Sequence, residues 1–312
     1  MTVGAVDCGT NSIRLLIAEP GEDGRLRDVH REMRIVRLGQ GVDATGEFAP
    51  EALARTESAL SDYADLMREH GVRKVRMVAT SAARDAGNRD EFFAMTARLL
   101  GSVSPGAVAE VITGTEEAEL SFRGAVGELD AGAAPFIVVD LGGGSTELVL
   151  GDSEVTASYS ADIGCVRIKE RCLHTDPPTA AEIGAARAVV RERLAEALAV
   201  VPVEGAHTWV GVAGTFTTLA ALAHRLPVYD PAAIHLSRTA FGDLLPVCAQ
   251  LIAMSGEQRL ALGPMHEGRA DVIPGGAIIV EELARVLAER AGLSELVVSE
   301  HDILDGIALS IA

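Results

Sequence analysis

Lysine is nearly absent from this chain of 312 residues, which has only Lys74 and Lys169. A P-loop nucleotide site needs a lysine between a glycine and a serine or threonine. Serine β-lactamase chemistry needs a serine three residues before a lysine. Neither lysine has either context, so both enzyme classes are excluded.

Basic charge, paired cysteines and long apolar runs are also lacking. The formal net charge is −18, which argues against general nucleic-acid binding. The four cysteines form no C-x-x-C pair and indicate reduced thiols rather than a zinc site. No apolar run approaches the ~18 residues needed to cross a bilayer, and no basic-then-apolar leader is present. We therefore expect a cytoplasmic protein that binds neither nucleic acid nor membrane.

Two further hydrolase patterns fail. The stretch GGGSTE does not form the G-x-S-x-G elbow of serine hydrolases, because Glu147 stands where glycine is required. The eight histidines are scattered and contain no H-E-x-x-H zinc motif. Serine-hydrolase and zinc-protease chemistry are therefore both disfavoured.

What the chain does contain is one short motif twice. D-x-G-x-x-S occurs at residues 7–12, in VGAVDCGTNSIRLLIAE, and 133 residues later at 140–145, in FIVVDLGGGSTELVLG. Apolar runs on both sides predict a strand, a tight glycine turn and a second strand. Such a turn presents N–H groups and hydroxyls to phosphate oxygens. The aspartate at the strand end is placed to approach a hydrated divalent cation.

A second repeat supports a duplicated domain. VRMVATSAARD and WVGVAGTFTTLAAL share one pattern, with Thr80 and Gly214 134 residues apart. An amphipathic helix is predicted ahead of each, so both halves follow the order hairpin, helix, strand, helix. The helix faces comprise Leu53, Leu60, Tyr63 and Met67 in the first half, and Ile183, Val190, Leu194 and Leu198 in the second. The length suits two α/β domains.

Carboxylates supply the candidate chemistry. Asp7 and Asp140 should face each other across a cleft between the domains, although capping of a glycine turn would also explain them. Glu147 interrupts the apolar run TELVLG, where a buried carboxylate needs a partner such as a metal-bound water. Glu117 falls in EVITGTEEAELSF, at the predicted start of a helix. Glutamates there suit the helix dipole, but one could also orient or deprotonate a water.

Several cations follow the predicted loops and are candidates for lining a polyanion site, with solvated surface charge as the alternative. They are Arg14, Arg84, Arg89, Arg167 and Lys169.

The set DCGTNSIR, ATSAARDAGN, ITGTEEAEL, VVDLGGGSTELVLG, GCVRIKE and GVAGTFTT resembles the exopolyphosphatase/guanosine pentaphosphate phosphatase family. The resemblance implies two ribonuclease-H-like domains of the actin/Hsp70/sugar-kinase superfamily, with a cleft between them. We expect domains at 1–125 and 126–312, with a C-terminal helix at about 300–312 as a candidate for packing back on the first. The chain resembles the short form of the family, and we expect a homodimer.

The resemblance also implies roles. Glu117 would be the catalytic base, while Asp140 and Glu147, with Asp7 assisting, would hold Mg²⁺ or another divalent cation such as Mn²⁺. The reaction would be metal-assisted in-line attack of water on a terminal phosphoanhydride. The phosphate-binding residues would be Thr10, Asn11, Ser12, Arg14, Ser81, Arg84, Asn88, Gly142, Gly143, Gly144, Ser145, Thr146, Gly214 and Thr215.

One departure from the family bears on the substrate. Where the family commonly has serine followed by Leu-Arg-Gly, this chain has VSEHDILDGIALSIA, with Asp305 and no arginine. Without further domains to extend a channel, short-chain polyphosphate is the expected substrate. A pppGpp 5′-phosphatase, an acetate or sugar kinase, and a non-enzymatic binder of polyphosphate or guanosine tetraphosphate remain open alternatives.

Overall fold

A computed structural model describes residues 1–21 and 25–312. The chain forms two compact units. Unit 1 comprises Met1–Gly124 together with Ile303–Ala312, and unit 2 comprises Ala125–Asp302. The chain therefore passes between the units twice, at residues 124–125 and 302–303.

The helices and strands up to residue 126 belong to unit 1, apart from the last two residues of α5. They are β1 (Val3–Cys8), β2 (Ser12–Pro20), β3 (Leu26–Ile35), α1 (Val42–Thr45), α2 (Pro50–Glu69), β4 (Lys74–Ala79), α3 (Ser81–Asp85), α4 (Arg89–Gly101), β5 (Ala109–Val111) and α5 (Gly114–Val126).

Unit 2 follows, and the last helix of the chain returns to unit 1. The elements are β6 (Phe136–Leu141), β7 (Thr146–Gly151), β8 (Val155–Ala161), α6 (Cys165–Cys172), α7 (Ala180–Val200), β9 (Thr208–Val212), α8 (Gly214–Ala223), α9 (Pro231–Ile234), β10 (Ser237–Ala240), α10 (Phe241–Ala253), α11 (Gly256–Leu260), α12 (Ile273–Ala291), β11 (Glu295–Val298) and α13 (Ile303–Ile311).

The sheet of unit 1 has the strand order β3-β2-β1-β4-β5. Strands β1, β2 and β3 are antiparallel neighbours, whereas β4 and β5 run parallel to β1. Every residue of β1 is buried, as expected for a central strand covered on both faces. Helix α2 packs through the predicted apolar face, with Leu53, Leu60, Tyr63 and Met67 all buried.

The sheet of unit 2 repeats this arrangement with one added edge strand. Its order is β8-β7-β6-β9-β11-β10, and β9 and β11 run parallel to β6. The antiparallel strand β10 extends the β11 edge. Of the predicted apolar face of α7, Val190 and Leu194 are buried, while Ile183 and Leu198 are partly buried against the same core. The duplicated α/β class with ribonuclease-H-like strand order is therefore confirmed.

The second repeated motif has the same offset as the first when the helix starts, and not Thr80 and Gly214, are compared. Helices α3 and α8 begin at Ser81 and Gly214, so they share the offset of 133 residues that separates Asp7 from Asp140. Ser81, rather than Thr80, is thus the counterpart of Gly214. The element following each central parallel strand begins at the same repeat position in both units.

The C-terminal helix α13 covers one face of the sheet of unit 1. Ile303, Leu304 and Ile307 join an apolar cluster with residues of β1 and β2. Gly306 lies against α5 so closely that a Cβ there would be 2.0 Å from the Leu120 carbonyl oxygen. Asp305, which replaces the arginine expected from the family pattern, forms a two-contact ion pair with Arg31 on β3. This position therefore serves the packing of unit 1.

Within residues 1–21 and 25–312, no helix has both the length and the apolar composition needed to cross a membrane.

Candidate functional site

The glycine turn of unit 1 has its backbone carbonyl groups occupied. The Gly9 N–H donates to the Ser12 carbonyl over 2.9 Å, and the Gly39 N–H donates to the Thr10 carbonyl. The Asn11 carbonyl accepts from two consecutive N–H groups, at residues 36 and 37. Residue 39 must be glycine for this contact, since a Cβ there would be 2.3 Å from the Thr10 side chain.

The turn of unit 2 is built in the same way. The Gly142 N–H donates to the Ser145 carbonyl over 3.0 Å, and the Gly142 and Gly143 carbonyls accept from the first N–H groups of α6. The Gly144 carbonyl accepts from Arg167 Nε over 2.7 Å. A Cβ at Gly164, which precedes α6, would be 2.3 Å from the Gly143 carbonyl oxygen.

These bonds favour anion binding by both turns. Carbonyl oxygens repel phosphate, and here those of residues 10–12 and 142–145 are bonded to neighbouring donors. Across the described ranges of the chain, the backbone N–H groups of Thr10, Gly143 and Gly144 donate to no protein acceptor. A turn with bonded carbonyls and available N–H groups is a site for phosphate oxygens.

The residue opposite the strand-end aspartate differs between the units. In unit 1, Arg14 on β2 is the register partner of Asp7 on β1, and its guanidinium donates to Asp7 Oδ2 from both Nε (2.9 Å) and Nη2 (2.7 Å). In unit 2 the equivalent pair is Asp140 and Glu147. The two strands that flank the turn of unit 1 therefore carry an arginine–carboxylate pair, whereas those that flank the turn of unit 2 carry two carboxylates.

Glu117 lies in the first turn of α5 and is buried, with 7% of its surface exposed. Arg84 Nη1 donates to Glu117 Oε2 over 2.6 Å and to the Ile112 carbonyl over 3.2 Å. The Thr80 side chain lies close enough to the Glu117 carboxylate to lower its pKa. The neighbouring Glu116 instead pairs with Arg76 at the surface. Of these two glutamates, Glu117 is thus the one held in a buried polar environment.

Burial raises the pKa of Glu117 above the ordinary 4.5 of a glutamate. The Arg84 guanidinium and the Thr80 side chain oppose this shift, whereas the charge of Asp7 adds to it. A carboxylate with a raised pKa is a stronger base than an exposed one. It can accept a proton from a water molecule near neutral pH.

Glu147 and Asp140 fit a divalent cation. Glu147 is only 1% exposed and Asp140 6% exposed, and Glu147 Oε1 accepts a hydrogen bond from Ser160 over 2.7 Å. The two buried carboxylates occupy facing register positions on β6 and β7. Carboxylate oxygens are the ligands that Mg²⁺ prefers, so the donor set suits this ion.

Arg269 lies against the junction of β9 and α8 in unit 2. A Cβ at Gly214 would be 2.0 Å from Arg269 Nη2, so the guanidinium lies directly against the start of α8. Arg269 Nη1 also donates to the Thr218 hydroxyl over 2.7 Å, and that hydroxyl donates to the Gly214 carbonyl. Ala213, at the helix N-cap, has a φ of 72°, a strained conformation of the kind that concentrates at functional sites.

Comparison with known proteins identifies the family of this chain. A sequence profile of the Ppx/GppA phosphatase family matches residues 16–311. The chain belongs to this family. It is 70% identical to Exopolyphosphatase 2 of Mycobacterium tuberculosis over 99% of this chain and 98% of that protein. It is 32% identical to guanosine-5′-triphosphate,3′-diphosphate pyrophosphatase of Photobacterium profundum, over 69% of this chain and 42% of that protein.

A crystal structure shows the same fold. The exopolyphosphatase-like protein that it describes is 42% identical to this chain, with a TM-score of 0.93. The superposition covers 99% of this chain and 98% of that one. The similarity to the family therefore extends over both units.

Some residues predicted as phosphate ligands of the family site have intramolecular partners. The Asn88 amide exchanges two hydrogen bonds with the backbone of Phe48. The Thr146 hydroxyl is fully buried and donates to the Ile163 carbonyl over 2.6 Å. Thr215 is buried, and its side chain lies close enough to the Cys165 thiol to oppose the rise that burial causes in the thiol pKa. The phosphate roles of these three residues stay predictions.

Among the other predicted residues, Ser12 and Ser145 close their turns through their carbonyl groups, and Ser81 is buried at the start of α3. The cations Arg89, Arg167 and Lys169 donate to the backbone carbonyls of Ala83, Gly144 and Leu173, respectively. Arg167 thus contacts the turn of unit 2 through the Gly144 carbonyl.

Three polar residues were not assigned from the sequence. Thr80 contacts Glu117, Ser160 contacts Glu147, and Arg269 contacts Gly214. A pairing of β8 with β7 places Ser160 opposite Glu147, so an alignment of these two neighbouring strands indicates the contact. Arg269 lies in RADVIPGGAIIVEE, a weak echo of the family pattern, but it is far from Gly214 in sequence and no local pattern linked the two residues.

Proposed function

We propose that the protein is an exopolyphosphatase, which hydrolyses the terminal phosphoanhydride of short polyphosphate chains and releases orthophosphate. The buried Glu117, with its raised pKa and its contacts to Arg84 and Thr80, carries the proposal. A phosphate-binding protein without hydrolytic activity would have no need of a buried base of this kind. The 70% identity to a relative named as an exopolyphosphatase supports the same substrate.

The turns of the two units bind phosphate groups in this proposal. The N–H groups of Thr10, Gly143 and Gly144 donate to phosphate oxygens, and the bonded carbonyls reduce repulsion. Arg269 provides a cation beside Gly214 at the start of α8. Phosphoryl transfer depends mostly on positioning and on neutralising charge, and these groups perform both tasks.

Asp140 and Glu147 would hold Mg²⁺, with Ser160 fixing the orientation of Glu147. When bound, the ion neutralises charge on the phosphate oxygens and on the leaving group. Asp7 is engaged by Arg14, and we assign it a supporting role.

Glu117 accepts the proton of the attacking water. Arg84 favours the ionised form of this carboxylate, because it opposes the effect of burial on the Glu117 pKa. General base catalysis of this kind typically contributes ~10²–10⁴-fold in rate. Removal of the base should therefore reduce turnover while leaving the phosphate-binding turns intact.

A pppGpp 5′-phosphatase activity is the second candidate. The relative from Photobacterium profundum is named for hydrolysis of guanosine-5′-triphosphate,3′-diphosphate. The same base and carboxylates could act on a nucleotide phosphoanhydride.

We also propose a cytoplasmic location, supported by four cysteines that are all free thiols.

A substrate panel tests the proposal. Phosphate release by the purified protein with Mg²⁺ should be fastest on short-chain polyphosphate, compared with long-chain polyphosphate, pppGpp and ATP. The Glu117→Gln protein, purified identically, corrects for contaminating phosphatases. Faster release from pppGpp than from any polyphosphate would reassign the enzyme, and equal or faster release from chains of hundreds of phosphates would contradict the short-chain preference.

A further inference from the structure

A group of two histidines and one glutamate lies in unit 2, apart from the residues assigned to catalysis. Glu128 follows α5, His235 follows α9, and His301 follows β11. One ligand atom from each residue lies within 4.8 Å of the other two. We propose that these residues form a binding site for a divalent transition-metal ion of the Zn²⁺ class, separate from the Mg²⁺ site.

The geometry is close to that of a three-ligand metal site. Glu128 Oε2 is 2.7 Å from His235 Nε2 and 3.6 Å from His301 Nδ1. The two imidazole rings approach with centroids 4.5 Å apart and planes inclined by 43°. Zinc–ligand bonds of 2.0–2.2 Å in a tetrahedron place donor atoms roughly 3.3 Å apart. The observed separations bracket this value, so small side-chain rotations would complete the site.

The donor chemistry selects the ion. Two imidazole nitrogens and one carboxylate suit Zn²⁺, Co²⁺, Ni²⁺ and Cu²⁺, whereas Mg²⁺ takes oxygen ligands. Three protein ligands leave one position of a tetrahedral ion for water. The side chains of His235 and His301 are partly exposed and that of Glu128 is exposed, so an ion can enter from solvent.

A backbone contact to His235 lowers the affinity that we expect for the metal ion. The Glu300 N–H donates to His235 Nδ1 over 3.2 Å, which in the metal-free protein places the ring proton on Nε2, facing Glu128. An ion bound at Nε2 requires the proton to move to Nδ1, and the Glu300 N–H then loses its acceptor. We therefore expect micromolar affinity, weaker than in zinc sites whose second imidazole nitrogen already donates to an acceptor.

The location gives a bound ion a structural effect. Glu128 lies just after the first passage of the chain between the units, and His301 lies just before the second. An ion would join both segments to the segment that follows α9. Metal binding should therefore raise the melting temperature of the full-length protein.

The test is calorimetric titration of the EDTA-treated full chain with Zn²⁺ in the presence of excess Mg²⁺, which occupies the carboxylate site. We expect one equivalent of Zn²⁺ and a higher melting temperature. His301→Ala and Glu128→Gln should each weaken binding at least about 100-fold, since loss of even an outer-shell partner typically costs 10–100-fold. Bound Co²⁺ should give the intense visible absorption of a four-coordinate ion.

The matched control is His70→Ala in unit 1, where His70 stacks on His30 beside Glu32 without forming a ligand group. This variant should bind Zn²⁺ as the unaltered protein does. Melting temperatures without metal establish that each variant is folded. Absence of saturable binding, or binding that His301→Ala and Glu128→Gln leave unchanged, would overturn the proposal.

Discussion

Asp140 on β6 and Glu147 on β7 lie directly opposite each other, and both carboxylates are buried. At the corresponding position of unit 1, Asp7 lies opposite Arg14 and forms an ion pair with it. The same strand–turn–strand scaffold thus holds an arginine–carboxylate pair in one unit and two carboxylates in the other. The two carboxylates of unit 2 offer the oxygen ligands that Mg²⁺ prefers, whereas unit 1 has an arginine at the equivalent position.

Replacing Ser160 should weaken binding of Mg²⁺. The Ser160 hydroxyl donates to Glu147 Oε1, so Ser160→Ala releases the carboxylate from its fixed orientation. Loss of an outer-shell partner typically lowers metal affinity ~10–100-fold, and the Mg²⁺ concentration at half-maximal activity should rise accordingly.

Ser158→Ala is the control for this change, because Ser158 lies two residues earlier on β8 and faces Val149 instead of a carboxylate. Its Mg²⁺ dependence should match that of the unaltered enzyme. Equal Mg²⁺ dependence in the two variants would contradict the role given to Ser160.

Glu117→Gln should abolish most activity without lowering stability. The rate should fall by ~10²–10⁴-fold because the base is lost. The folded-state pKa of Glu117 is raised above its unfolded value, so the stability linked to its protonation is present below about pH 4.5 and is lost as the pH rises through the folded pKa. The glutamine variant avoids that loss and, unlike alanine, keeps a side-chain oxygen that can accept the hydrogen bond from Arg84 Nη1. At neutral pH it should therefore be as stable as the unaltered protein or more so.

The measurement is urea unfolding at pH 4 and pH 7 together with phosphate release. Glu116→Gln is the matched control, since Glu116 is paired with Arg76 at the surface and lies one residue away. It should retain full activity. A Glu117→Gln protein that keeps activity within about tenfold of the unaltered enzyme would rule out the base role.

Arg84→Ala should move the acidic limb of the pH–rate profile to higher pH. Arg84 lowers the pKa of Glu117 against the effect of burial, so its removal raises that pKa further. Because the base must be ionised, activity should then be lost at a higher pH as the solution is acidified. Arg84→Lys retains a positive charge, so its acidic limb should move to higher pH by less than that of Arg84→Ala. An unchanged limb in Arg84→Ala would show that another group controls it.

The sequence was sufficient for those parts of the site that local pattern encodes. Asp7 and Asp140 were placed at strand ends, and Glu117 in the first turn of a helix, because apolar periodicity and turn residues determine these features over a few residues. The common offset of 133 residues then predicted that the two units share a fold.

Contacts between distant segments leave no local pattern in the sequence. Arg31 and Asp305 are 274 residues apart, and Arg269 reaches Gly214 only because α8 and the segment before α12 pack together. The direction in which a side chain points is also not encoded by the local sequence pattern. Thr146 follows a phosphate-type turn, yet its hydroxyl points to the Ile163 carbonyl. Tertiary packing decides these contacts, and no local pattern reports it.

Asp305→Ala should destabilise unit 1 more than Asp28→Ala does. Both aspartates pair with Arg31, but Asp305 is buried whereas Asp28 is exposed. Loss of the buried partner should lower the free energy of unfolding by about 1–3 kcal/mol, since Arg31 is itself partly solvated, and loss of the exposed partner by less than about 1 kcal/mol. Urea unfolding of both variants measures the difference. Equal losses would contradict the packing role of Asp305.

Gly214→Ala should impair substrate binding through Arg269. The new Cβ would lie 2.0 Å from Arg269 Nη2, and because the guanidinium is the end of a flexible side chain, it is expected to move away and not to unfold the helix. KM for polyphosphate should rise at least about tenfold, equivalent to ~1.4 kcal/mol. Arg269→Ala should add little once Gly214 is replaced, because the two changes remove one interaction.

Gly242→Ala is the control, since a Cβ there meets no atom within 4 Å and alanine favours the helix. Its KM should be unchanged and its melting temperature equal or higher. Additive effects of Gly214→Ala and Arg269→Ala would show that the two residues act independently. Such a result would contradict the proposal that Arg269 binds phosphate from its position against Gly214.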